Sequence, residues 1–133
     1  MNDFLNELAD YLEDQTVGTV ATDIFIGEVP GSPNALVCLL GLPGAGLTAS
    51  RDVAALQFPR FQAYVRAVSY DDASDKFQAV RTALHGLLGH ALPHWRILRC
   101  FAESEGGPIG SDEQGRFEFS INFAAEIDAE TTP

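Results

Sequence analysis

Residues 116–127 read RFEFSINFAAEI, and their alternation is the strictest in the chain. Phe117, Phe119, Ile121, Phe123, Ala125 and Ile127 occupy every second position. Glu118, Ser120, Asn122 and Glu126 fall between them. A period of two places the first set on one face of a β-strand and the second set on the other. Six consecutive apolar positions on one face require a covering layer, so the strand implies a sheet with helices packed against it.

Two segments supply those helices. Residues 3–14 carry Phe4, Leu5, Leu8, Tyr11 and Leu12 at helical spacing, with acids largely opposite. Asn2 or Asp3 caps the start, and the early acids suit the positive end of the helix dipole. Ser69, followed three residues later by Asp72, opens a second helix in the manner of a capping box. Its stripe is Ala73, Phe77, Val80, Leu84, Leu87 and Leu88. Gly86 and Gly89 weaken its end, and Pro93 closes the segment.

The remaining strands follow from shorter patterns. Asp23–Val29 alternates around Ile24, Phe25 and Ile26, and Pro30-Gly31-Ser32-Pro33-Asn34 is a turn cluster. Ala35–Leu40 is apolar on both faces and reads as a covered central strand. Phe58–Ser69 alternates Phe61, Ala63, Val65 and Ala67 with Gln62, Tyr64 and Arg66, one face covered and one wetter. Trp95–Glu103 is a further strand, Glu105–Gly110 a loop, and Asp112–Gly115 a turn. Residues 128–133 read as a disordered tail. The order α-β-β-β-α-β-β predicts one α+β domain over residues 1–133. In it two helices cover one face of a mostly antiparallel or mixed five-stranded sheet.

Length and composition agree. A chain of 133 residues with 46% hydrophobic and 20% charged residues builds a core and is not intrinsically disordered. The net charge of −11 argues against a general nucleic-acid binder, which needs clustered Lys and Arg. That charge sits at the two ends, since residues 15–102 are close to neutral. No apolar run is long enough to span a membrane, and the acidic start does not resemble a secretory signal. Cys38 and Cys100 lie in apolar stretches and read as buried thiols of a reducing compartment.

Motifs that carry chemistry are few. Gly44, Gly46 and Ala49 spell G-x-G-x-x-A after an apolar strand, the outline of a dinucleotide-binding turn. Pro43 precedes the first glycine, however, and Pro59 leaves room for only about two turns of helix at roughly 3.6 residues each. A surface loop therefore fits better, and a nucleotide-binding enzyme is the remote reading. His85, His90 and His94 are spaced to diverge, without thiolates or carboxylates at ligand spacing. They read as surface or helix-end histidines, and Asp71, Asp72 and Asp75 as a capping cluster. The residues themselves point to no catalytic, cofactor or metal site.

Three stretches together carry a resemblance. FLNELADYLEDQTVGTVATDIFIGEVP (4–30), FQAYVRAVSYDDASDKFQAVRTALHGLLG (61–89) and GRFEFSINF (115–123) are similar, in this order, to a family of bacteriophage minor tail proteins. These proteins, also called minor capsid proteins, are related in fold to tail terminators. The most telling parts are DIFIG at 23–27, the Arg66–Ala73 stretch and DEQGRFEFSINF at 112–123. The resemblance implies a structural protein without catalysis, located in the virion tail and in the host cytoplasm during assembly. It implies a homo-oligomeric ring, usually a hexamer, that caps the tail tube and joins it to the head-completion or stopper protein. Another head–tail joint or tail-completion role is the alternative.

On that reading the loops 41–57 and 104–115 meet neighbouring subunits or the tube protein. Their candidate contacts are Pro43, Gly44, Gly46, Arg51, Asp52, Pro108 and Asp112. Glu7, Asp10 and Glu13 form a candidate acidic face on the ring lumen. Six copies, each of charge −11, would repel DNA and let it pass through without specific binding.

Overall fold

A computed structural model describes residues 2–43 and 56–129. The chain runs through α1 (Asn2–Asp14), β1 (Ile24–Ile26), β2 (Leu36–Leu42), β3 (Arg60–Ala67), α2 (Tyr70–Leu84), β4 (Leu87–Ala91), β5 (Trp95–Ala102), β6 (Gly107–Ser111) and β7 (Phe117–Ala129). The α+β class and the mostly antiparallel sheet are as the sequence predicts. The strand count is not: among the described residues the sheet has seven strands rather than five.

β7 organises the sheet. Along one edge it pairs antiparallel with β3, from Ala67↔Phe117 to Arg60↔Ala124. Its other edge is shared by two strands placed end to end. β6 takes Phe117–Ser120, and β5 takes Phe123–Ala129. The strand order is β1-β2-β3-β7-β5-β4, with β6 paired to β7 off this path. β1 alone pairs parallel, with β2, which makes the sheet mixed. Asp128 and Ala129 continue β7 rather than opening a tail, and the predicted tail residues 130–133 lie outside the described residues.

One face of the sheet forms the main core. Val37 and Leu39 of β2, Phe61, Ala63 and Val65 of β3, and Phe119, Ile121 and Phe123 of β7 lie in register on it. α1 adds Phe4, Leu8 and Leu12, and α2 adds Ala73, Phe77, Val80 and Leu84. Aromatic contacts tie the layers. Phe61 stacks on Phe123 at 5.3 Å, Phe4 meets Phe61 edge-on at 6.2 Å, and Phe77 lies 5.2 Å from Phe119. Burying one such ring contributes roughly 1.5–3 kcal/mol.

Two strands that the sequence reading missed are β4 and β6. The helical stripe predicted through Leu87 and Leu88 stops at Leu84. Gly86 adopts φ +82, which only glycine takes without strain, and its N–H donates to Cys100 O at 2.8 Å. The chain then turns onto β5, with Leu87 opposite Cys100. The stretch expected as a loop, Glu105–Gly110, becomes β6 from Gly107 onward. It has neither length nor alternation to announce it.

The opposite face carries a smaller core of Leu36, Cys38 and Tyr64. Because β1 and β2 run parallel, residues 27–35 must return along the sheet. Two arginines hold this crossover. Arg66 donates to the carbonyls of Pro30 (3.0 Å), Pro33 (2.7 Å) and Asn34 (3.3 Å), and Arg116 donates to Gly31 O at 2.7 Å. Both are buried, and each offsets its desolvation with carbonyl or carboxylate partners.

Candidate assembly interface

The predicted contact residues separate into several groups. Gly44, Gly46, Arg51 and Asp52, with the whole G-x-G-x-x-A stretch, lie outside the described residues. Pro43 is described. Its carbonyl accepts from Arg60 Nη1 at 3.1 Å, while Arg60 Nη2 pairs with Glu103 Oε1 at 2.8 Å. This links the end of β2 to the turn after β5. Pro108 lies in β6 opposite Phe119, on an exposed edge strand rather than in a loop. Proline there removes a donor from the outer edge and discourages unwanted strand addition.

Asp112 closes the β6–β7 turn. Its Oδ1 accepts from the backbone N–H groups of Gln114 (3.0 Å) and Arg116 (2.9 Å), and its Oδ2 accepts from Arg116 Nε at 2.7 Å. The backbone N–H of Arg116 is the largest cause holding its carboxyl below the usual carboxylate value, and the guanidinium adds to it.

The candidate acidic face on α1 needs one correction. Asp10 and Glu13 are exposed, but Glu7 is buried, with 7% of its surface accessible. Its carboxylate accepts from the backbone N–H of His94 at 2.9 Å and contacts His94 Nδ1 at 2.7 Å. Glu7 therefore fastens α1 to the β4–β5 turn. Glu13 also has a local partner, since its Oε1 accepts from Val20 N at 2.7 Å.

The histidines are structural. His90 packs edge-on against Tyr11 at 4.7 Å. His85 Nδ1 accepts from Ala102 N at 2.9 Å. That bond matters because His85 shares a groove of about 580 Å³ with Asp75 and Thr82, between α1 and α2. With Nδ1 occupied, the neutral ring keeps its proton on Nε2 and has no lone pair left to accept one from a hydroxyl. His85 therefore offers no acceptor to the groove in that form, and Asp75 is the carboxylate that lines it. Among the described residues no group of three or more His, Cys, Asp or Glu is placed to hold a metal ion. Burial pushes the Cys38 thiol up to about 11 and the Cys100 thiol up to about 12, so both stay protonated and unreactive at neutral pH.

What the surface does offer is unpartnered apolar area. Val68, Tyr70 and Ile109 are exposed near the Phe117 end of β7, and Leu88 and Leu98 are exposed near its other end. Single exposed apolar residues are ordinary, whereas clusters mark contacts. Sequence patterning reveals neither group, because Leu88 falls on a helical stripe and Val68 within the Phe58–Ser69 strand.

The family model for the bacteriophage tail terminator protein matches residues 11–129. The chain belongs to that family. Membership makes this tail terminator family protein a structural protein of the phage tail and virion. Its fold recurs in solved structures. One is a chain from the virion of a native gene transfer agent particle, with TM-score 0.62 and 17% identity, covering 93% of this chain and 96% of that one. A second solved structure has TM-score 0.55 and 18% identity, covering 98% of this chain and 92% of that one. At such identities the likeness concerns the fold alone. No curated protein matches the sequence.

Proposed function

We propose that the protein terminates the tail tube. Copies assemble into a ring, six being the number the family resemblance implies, which caps the tube at its final length and presents a surface to the head-completion protein. The observation that carries this reading is the family match across residues 11–129. The geometry is compatible with it. The described surface offers exposed apolar residues near both ends of β7. In this role the segments around Pro43, with Gly44, Gly46, Arg51 and Asp52, and around Pro108 and Asp112 meet the tube protein or neighbouring subunits. DNA crosses the lumen without being held, because the chain's charge of −11 opposes phosphate binding. Asp10 and Glu13 are the lumenal acids on this proposal, and Glu7 is left out because its carboxylate is spent on His94.

Adding the purified protein to polymerising tube protein tests the reading. Electron microscopy is expected to show one capped end per tube and arrested growth from that end. Tubes that elongate unaffected, with the protein sedimenting only as free monomer, would overturn it.

A further inference from the structure

Resting on the ring reading, we infer which surfaces join the subunits: they dock head to tail. The acidic apolar knob at the start of α2 sits on a basic apolar patch on β4 and β5 of the next copy.

The knob is Val68, Tyr70, Asp71 and Asp72. Val68 is 59% exposed, and the two aspartates lie in the first turn of α2. Tyr70 rests one side of its ring on Phe117 and Phe119, at 5.9 and 5.3 Å, yet stays half exposed. The knob is therefore braced by the core rather than free to move. The patch is Leu88, 72% exposed on β4, with Leu98, Arg96 and Arg99 on β5. Among the described residues Arg96 and Arg99 are the only exposed Lys or Arg side chains, and both flank the exposed leucines. Arg99 is stiffened by Glu126 at 3.0 Å and by the Phe101 ring at 4.6 Å. Arg96 faces Asp128 in register without closing an ion pair among the described contacts.

Three features make the knob and the patch each other's partner. Arg99 is ion-paired with Glu126, but Arg96 closes no ion pair among the described contacts and brings to the patch a charge opposite to Asp71 and Asp72, in a chain whose net charge leaves few cations for an acidic surface to meet. The knob and the patch also cannot meet within one copy. The knob lies by Phe117 and Phe119, while Leu98 bulges between the pairs Ile97↔Ile127 and Arg99↔Glu126. About eight strand residues at ~3.3 Å each, some 25–30 Å, separate the two sites. Finally, β4 ends the sheet, and a neighbour seated on Leu88 covers that open edge. Knob-to-knob pairing would instead set aspartates against aspartates. Two different surfaces at opposite ends make a heterologous contact, and such contacts close into rings when the rotation permits.

The test uses tubes capped by a Val68→Cys, Leu88→Cys double variant and a short bismaleimide. Native Cys38 and Cys100 are buried and do not compete. The expected product is a ladder of multimers on a denaturing gel, while either single variant gives no dimer. Capped tubes without a ladder, or dimers from a single variant, overturn the docking mode and leave the terminator reading standing. Absence of any cap overturns the terminator reading and the docking mode with it. Charge exchange reads the same contact without thiols. Arg96→Glu is expected to raise the protein concentration needed for capping about tenfold. Mixing it with Asp71→Lys is expected to restore capping, because the mixture alternates matched surfaces. A mixture no better than either variant alone counts against the contact.

Discussion

Arg66 shows how a residue's role can be hidden from its own neighbourhood. Alternation along β3 places it on the wetter face with Gln62 and Tyr64, and it does lie on that face. It is nevertheless 3% exposed, because residues 27–35 fold back over it and offer three carbonyls. Nothing near position 66 announces a crossover made thirty residues earlier. Glu7 is similar: its helical position reads as solvent-facing until the β4–β5 turn brings His94 against it. Asp112 gives this scale its pH dependence. Its carboxyl titrates below the ordinary 3.8, chiefly through the Arg116 backbone N–H. The stability it contributes is whole above the unfolded value and is lost as pH falls through the lower folded value. Wild type is therefore expected to be more stable than Asp112→Asn at pH 7 in denaturant melts, with the gap closing as pH drops below about 4. A gap that does not change with pH would show that the charged form is not what the turn binds.

At the scale of elements, legibility follows from where an element's stability originates. β7, α1 and α2 each bury a long periodic stripe, so their sequences carry the signal. β4 and β6 are five residues each, contain glycine, and exist because β5 and β7 offer open edges. Their signal lies in the partner strand. Gly106 is the hinge that delivers β6 to its edge. Its φ is +69, and a Cβ there would meet both Ile121 Cβ and Ser120 O at 2.7 Å. Gly106→Ala is expected to cost about 2–3 kcal/mol, adding left-handed strain to a steric shift of β6. Gly41→Ala, where the nearest atom is Leu5 Cδ1 at 3.9 Å, is expected to stay within about 0.5 kcal/mol. Thermal melts of the two variants compare them, and equal losses would mean that β6 does not depend on this approach.

For the whole molecule, the sequence allowed the α+β class and the one-sided helical layer to be read, because alternation and helical stripes are both intrinsic to the chain. The strand order was not readable: β5 and β6 sharing one edge of β7 is decided by long-range pairing, not by local pattern. The candidate interface was legible only in part, since charge runs are visible in a sequence while exposed leucines look like core. The family match places the chain in the phage tail, and the whole-particle phenotype tests the proposed terminator role most directly. The lengths of tails made without this protein, measured by electron microscopy against wild-type particles, decide it. Headless tails whose tubes run past the normal length and vary widely are the expected result. Tails of normal, uniform length would contradict it and assign the protein to another part of the joint.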